Sequence, residues 1–286
     1  MTVLEVIKKS TEFLTRKGVE SPRLQVELLL AHVLQLPRLK LYLSFERTLN
    51  DGELDALRTL VKRRGEREPL QHILGSMSFC GLEMKVGPEA LVPRQETELL
   101  AERGWQFLKS ISTATPLAFD FGTGTGCLAI ALAVNCPNAH VHAVDISPEA
   151  LELARENAAR HAVQNRLTFH QGDGFAPLPP GVQFDLIVAN PPYIPSAEIA
   201  TLQPEVCRHD PRLALDGGAD GLDFYRRLAV EAKPFLAAHG RLMLEFGDGQ
   251  AAALREIFTK QGWQGLEVEK DYTRRERFFI ATMARA

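Results

Sequence analysis

Along the first 75 residues the apolar positions keep a helical spacing, as at Leu24, Leu28, Ala31 and Leu34, and the boundaries between segments carry their own chemistry. Thr2 followed three residues later by Glu5 predicts a capped helix start, and Gly18 a stop. Ser21 before Pro22 predicts a second start, because a missing N–H costs nothing at the first helical position, and Pro37 follows that helix. Asn50 with Glu53 predicts a third, running to Gly65. The pattern then changes. Phe79, Leu82, Met84 and Val86 sit among turn formers, which predicts a β-hairpin, and a helix is expected over about 95–109. From residue 117 short apolar runs alternate with helical ones. Strands are predicted at 117–122, 140–146, 167–173, 184–190 and 241–247, with helices at 127–136, after Ser147, over 222–240 and at about 250–261. Two last strands near 265–270 and 276–283 leave no room for a crossover and must pair antiparallel. The sum is an α/β domain with a mostly parallel sheet, preceded by a small helical domain. The expected boundaries are 1–75 for the helical domain, 76–93 for the hairpin linker and 94–286 for the α/β domain.

Composition narrows this little. The chain of 286 residues is 45% hydrophobic and 24% charged, an ordinary globular balance. Its longest apolar runs, 28–34 and 127–134, fall far short of the roughly 20 residues a membrane span needs. Cys80, Cys127, Cys136 and Cys207 show neither metal nor disulfide spacing, so a cytoplasmic protein with reduced thiols is expected. Charge is more telling when divided. Residues 1–75 hold 13 basic and 10 acidic side chains, the remainder 20 and 26, so a net of +3 faces a net of −6. The basic excess gathers at Lys62, Arg63, Arg64 and Arg67, either a solvated helix face or a docking surface for an acidic or RNA-bearing partner.

Three features at predicted strand ends carry chemistry. The loop from Asp120 through Gly122, Thr123, Gly124, Thr125 and Gly126 spaces its glycines as G-x-G-x-G, where a dinucleotide fingerprint would put a glycine at Cys127. Such a loop lets backbone approach a ligand, though a tight structural turn has the same composition. Asp145 ends the next strand, 19 residues on, where a carboxylate can accept both hydroxyls of a ribose. Asp173 and Gly174 follow the third strand, where an adenine amino group would be met. The fourth strand ends in Asn190-Pro191-Pro192-Tyr193. Prolines give a stiff turn with free carbonyls, so a planar NH2 could donate one hydrogen to the Asn190 oxygen and one to the Pro191 carbonyl, with Tyr193 stacked on its plane. Eight of the 17 prolines lie in 177–211, an irregular stretch long enough to be functional. His140 and His142 share a strand face without further metal ligands, Glu245 at the same sheet edge reads as structural, and Cys127 reads as packing.

The glycine loop, Asp145 and the NPPY tetrad together resemble class I S-adenosylmethionine-dependent methyltransferases that act on a conjugated amino nitrogen. REPLQHILG at 67–75, FCGLEMKV at 79–86 and LVPRQETELL at 91–100 extend the likeness over essentially the whole chain, to the PrmC/HemK family of protein-(glutamine-N5) methyltransferases. Gln95 stands where that family usually has proline, and Gly174 and Phe175 where it often has an aromatic; Phe175 could substitute for the adenine contact. The resemblance implies a Rossmann-like, seven-stranded sheet with an antiparallel last strand. It implies S-adenosyl-L-methionine as cofactor, held by Gly122, Thr123, Gly124, Thr125, Gly126, Asp145, Asp173, Gly174 and Asn190. It implies Asn190, Pro191, Pro192 and Tyr193 as the catalytic group, no metal, and class I peptide chain release factors as protein substrate of a monomeric enzyme. An adenine-N6 DNA or RNA methylase shares the tetrad but should carry a basic groove, against which the net −6 speaks. A non-catalytic binding protein on the same fold is the remaining alternative.

Overall fold

The computed structural model describes residues 1–283, which divide into two compact units. The first comprises Met1–Ser76 and, returning much later in the chain, Gln203–His209; the second comprises Met77–Leu202 and the described residues from Asp210 onward.

In the first unit, α1 (Val3–Arg16), α2 (Pro22–Leu34), α3 (Arg38–Leu41), α4 (Asp51–Gly65) and α5 (Leu70–Leu74) enclose a core of Val3, Leu14, Val26, Leu29, Leu30 and Leu41, all fully buried. The expected capping box at Thr2 is present, and the helix start expected at Asn50 has one too: Thr2 and Asn50 accept from the N–H groups of Glu5 and Glu53, whose carboxylates reach back to the cap backbone. Ser21 precedes Pro22 as expected but makes no side-chain cap bond. Glu27 is 2% exposed, yet donors surround it: the guanidiniums of Arg23 and Arg38 at 3.0 Å and the neutral Tyr42 hydroxyl at 2.9 Å. Burial alone would push its carboxyl up; these donors outweigh it and hold the carboxyl below the usual range.

The basic run at 62–67 is spent inside this unit rather than offered as a patch. Arg63 is paired with Glu68. Arg64, 3% exposed, and Arg67 both grip Glu205 of the returning helix α9 (Pro204–His209). Lys62 alone of the four keeps a largely exposed side chain, 4.0 Å from Glu66. The expected docking surface there is therefore mostly neutralised internally.

The hairpin β1 (Ser76–Phe79) and β2 (Leu82–Lys85) begins at the boundary residue Ser76 and otherwise belongs to the second unit, and α6 (Gln95–Ser110) follows it. Then come β3 (Leu117–Phe121), α7 (Cys127–Asn135), β4 (His140–Asp145), α8 (Pro148–Arg160), β5 (Leu167–Gln171) and β6 (Phe184–Ala189). The chain closes with α10 (Asp223–Glu231), β7 (Leu236–Glu245), α11 (Ala251–Lys260), β8 (Gln264–Lys270) and β9 (Glu276–Thr282). The seven strands lie in the order β5-β4-β3-β6-β7-β9-β8. The last two run antiparallel to each other, as their short connection requires, and β9 also pairs antiparallel with β7.

Alternate residues feed the two faces. Ala118, Leu186 and Val188 enter one core with α7, apolar from Cys127 to Val134, whereas Phe119, Ile187 and Ala189 enter the other with Tyr225, Leu228 and Phe258. Each large side chain so buried is worth about 1.5–3 kcal/mol. One expectation fails: residues 236–240, Leu- and Ala-rich and apparently helical, form the start of β7. Pairing of Leu236 with Phe184, across an irregularity in the register, overrides helix propensity there.

Burial pushes the Glu205 carboxyl up, but the guanidiniums of Arg67 and Arg64 outweigh it and bring it to about 2. Its stabilisation is therefore complete above about pH 4.5 and lost as pH falls from there towards 2. Glu205→Gln should cost about 3 kcal/mol in urea unfolding at neutral pH, since it leaves Arg64 buried without a countercharge. The gap between variant and wild type should shrink as pH is lowered below 4.5.

Candidate active site

Strand order reverses between β3 and β6. From β3 the chain winds outward through β4 and β5; from β6 it winds the other way through β7. The carboxyl edge at such a reversal is where an open parallel sheet leaves a crevice. Register places the ends level: Phe121 pairs with Ala189 and with Val144, and Ala189 with Leu244. Gly122, Asp145, Asn190 and Glu245 thus come to the sheet edge side by side, and a cavity of about 610 Å³ opens over most of them.

The glycine loop is tied down from below. Asp120, 1% exposed, accepts from the Thr123 hydroxyl at 2.6 Å and from the Ala129 N–H at 3.2 Å. Burial pushes its carboxyl up to about 7 against the pull of those two donors. Gly122 has φ +72°, and a β-carbon there would meet nothing within 4 Å, because it would stand in the cavity. Gly122, Thr123, Gly124 and Thr125 line that cavity. Gly126 does not: a β-carbon on it would come within 3.1 Å of Ala154 and Ile130, so its role is close packing of α7 on α8.

Asp145 is held rigidly, with one carboxylate oxygen accepting from Gly124 N–H at 2.8 Å and the other from Ser147 N–H at 3.0 Å. Each oxygen keeps a lone pair for a diol. Beside it Ile146, 51% exposed, lays an apolar surface in the cavity wall. Asp173 and Gly174 line the far end, where the Asp173 carboxylate is paired with Arg227. Phe175 does not take the place of an adenine-stacking aromatic. It is buried, with ring centroids 5.1 Å from Phe119 and 4.9 Å from Phe235; Phe121 and Phe224 line the cavity instead.

Asn190, Pro191 and Pro192 form the opposite wall. Neither the Asn190 side-chain oxygen nor the Pro191 carbonyl accepts a hydrogen bond among the described residues, while the Asn190 amide nitrogen donates to the Thr97 hydroxyl at 3.1 Å. The tyrosine of the tetrad departs from expectation. Tyr193 is outside the cavity wall, its ring packed against the second core and close to Gly247, and its carbonyl accepts from Gln250 at 3.0 Å. Burial pushes its hydroxyl up to about 12.

The remaining candidates are structural. His142 stacks on His170 at 5.0 Å between centroids, and burial pushes His142 down to about 4. Among the described residues no three metal-ligating side chains cluster, and no helix is long and apolar enough to cross a membrane. All four cysteines are free, and burial pushes the Cys127 thiol up, away from reactivity.

Relatives of this chain share both its parts. The family model described as PrmC N-terminal domain matches residues 5–75, and that described as Methyltransferase small domain matches 104–217. A release factor glutamine methyltransferase of Geobacter sulfurreducens is 47% identical over 92% of this chain and 90% of its own length. One from Deinococcus radiodurans is 43% identical over 99% of both. The chain belongs to the release factor glutamine methyltransferase family. The catalytic domain of human METTL16, solved with an RNA hairpin, shares the fold at a TM-score of 0.57 and 15% identity, covering 82% of each chain.

Within that family's frame, the cavity fits an adenosyl sulfonium cofactor: an opening a β-carbon on Gly122 would fill, a fixed diol acceptor at Asp145 and an apolar wall at Ile146. Ile146, Arg94, Thr97, Phe224 and Arg227 escaped sequence reasoning. Only Ile146, an apolar residue directly after the acidic strand end, and the Arg94–Thr97 stretch of the linker motif offered a signal. Asp145→Ala should raise the calorimetric Kd for S-adenosylmethionine at least tenfold, the loss of about one charge-assisted hydrogen bond, with no change in far-UV circular dichroism.

Proposed function

We propose that the protein transfers a methyl group from S-adenosylmethionine to the side-chain amide nitrogen (N5) of the GGQ glutamine of class I peptide chain release factors. The observation that carries this reading is the pair of unengaged acceptors, Asn190 side-chain oxygen and Pro191 carbonyl, on residues walling the cavity beside the glycine loop. When bound, S-adenosylmethionine supplies an electrophilic methyl on its sulfonium. Gly122–Gly124 and Asp145 hold the nucleoside end, and Asp173 and Gly174 lie where its base would reach.

The substrate amide is a weak nucleophile, since its lone pair is shared with the carbonyl. The residues present therefore work by placement. Two acceptors would bind both hydrogens of a planar NH2 and fix its plane, presenting its nitrogen in one orientation. They also favour the positive charge that grows on nitrogen during transfer, and the surplus proton leaves to water afterwards. A substrate without an NH2 would leave both acceptors buried and unpaired, which gives discrimination. Pro191 and Pro192 stiffen this wall, and Tyr193 anchors its far end through packing and the Gln250 bond.

Residues 1–75 serve, in this reading, to recognise the protein substrate, with 76–93 as linker and 94–286 as the methyltransferase domain. A groove of about 400 Å³ in the helical unit, floored by Val6, Phe13 and Leu57 and edged by Lys9, Arg58 and Lys62, offers an apolar and cationic surface for a protein segment. A nucleic-acid substrate is disfavoured by the net −6 of residues 76–286.

Incubation with methyl-labelled S-adenosylmethionine, a release factor and, separately, DNA and RNA tests the reading: label is expected on the factor's GGQ glutamine. Label on nucleic acid and none on the factor overturns it. Asn190→Ala should slow single-turnover transfer about 100-fold or more. Reversal of Lys9, Arg58 and Lys62 to glutamate should raise KM for the intact factor while leaving cofactor affinity unchanged; an unaltered KM removes the groove from recognition.

A further inference from the structure

The Asn190 amide can act as proposed only if its oxygen, not its NH2, faces the substrate. A side-chain amide is nearly symmetric in shape, so something must choose between the two orientations. The structure contains a chain of donors and acceptors suited to that choice. The Asn190 amide nitrogen donates to Thr97 Oγ1 at 3.1 Å, and Thr97 Oγ1 donates to Glu245 Oε2 at 2.7 Å. Thr97 is 2% exposed and Glu245 1% exposed, so water does not compete.

We infer that Thr97 and Glu245 are positioning residues which fix the polarity of the Asn190 amide and thereby make the substrate clamp an acceptor. This rests on the glutamine-methylating reading given above. An ionised carboxylate accepts only, so the single Thr97 hydrogen goes to Glu245. Thr97 can then only accept from Asn190, whose NH2 must turn towards it and whose oxygen must turn away, into the cavity. With Glu245 protonated the chain can run in reverse: Glu245 donates to Thr97, Thr97 donates to the Asn190 oxygen, and an NH2 is left facing the substrate NH2. That arrangement repels the substrate instead of binding it.

The surroundings of Glu245 make this reversal accessible. Its backbone carbonyl accepts from the buried Tyr225 hydroxyl at 2.9 Å. Arg277 on β9, Arg94 and Glu96 at the start of α6, and Tyr193 and Tyr225 are the charged or titratable groups around it. Burial pushes its carboxyl up to about 7, opposed by the Thr97 bond and Arg277. The acceptor polarity is thus present above that pH and lost below it, and methyl transfer should rise with pH through the same range.

Single-turnover methylation of a release factor's glutamine, measured against pH alongside calorimetric S-adenosylmethionine affinity, tests the assignment. Thr97→Val should slow transfer at least tenfold with cofactor Kd within twofold of wild type, and Thr97→Ser should restore the rate to within twofold. Glu245→Gln, uncharged at every pH, should abolish the rise near pH 7. Wild-type rates in Thr97→Val, a Thr97→Ser variant as slow as Thr97→Val, or a wild-type pH profile in Glu245→Gln would each overturn the assignment. If Thr97→Val does not fold, the Glu245→Gln profile decides alone. Failure of the wild-type protein itself to label glutamine overturns the functional reading, and this assignment with it.

Discussion

Everything at the cavity depends on two adjacent parallel strands from which the chain winds in opposite directions. β3 and β6 are hydrogen-bonded in a register that sets Phe121 level with Ala189, so the next residue of each, Gly122 and Asn190, emerges at one edge. Helices that follow β3 and β7 cover opposite faces, which leaves this edge uncovered where the winding changes sense. A slip of one residue in either strand would exchange its two faces, putting the side chains of one core into the other. The large buried side chains that hold the register, Phe119 and Phe184 on one face and Leu186 and Val188 on the other, therefore also hold the distance between the glycine loop and Asn190.

The polar groups beneath this edge follow one design used twice. Asp120 in β3 and Glu245 at the end of β7 are carboxylates almost wholly out of water, each raised to about 7, and each bonded to a threonine hydroxyl. Thr123 belongs to the glycine loop, and Thr97 supports Asn190. A buried carboxylate is expensive, and the fold tolerates two of them where a loop has to be held in one geometry without a side chain of its own to pack. Their charge is absorbed by hydroxyl and N–H donors and, at Glu245, also by Arg277 and Arg94 nearby.

Much of this was legible in the sequence because it is local. Capping boxes at Thr2 and Asn50, the Ser147 cap, the glycine loop and the antiparallel ending all follow from residues a few positions apart. Non-local facts were hidden. Residues 236–240 look helical until their partner Phe184 is known. The arginines at 63, 64 and 67 look like a basic surface until Glu68 and Glu205 are seen beside them. Tyr193 and Phe175 are aromatic residues next to the right motifs, but burial in the second core, rather than the cavity, claimed both rings. Thr97 carried no chemistry of its own and acquired meaning only from two partners far away in the chain.

The late return of Gln203–His209 to the helical unit has a consequence for how the protein is made. Glu205 lies 141 positions after Arg64, and a ribosome adding about 5–20 residues per second takes on the order of ten seconds to cover that distance. Throughout that interval the nascent helical unit holds Arg64 and Arg67 without their carboxylate, and a guanidinium in that state stays hydrated rather than buried. The unit reaches its final form only after β3 to β6 have left the ribosome. Helices that read as an independent leading domain are thus completed by a segment of the chain that follows the NPPY turn, so synthesis of the one unit sets the moment at which the other closes.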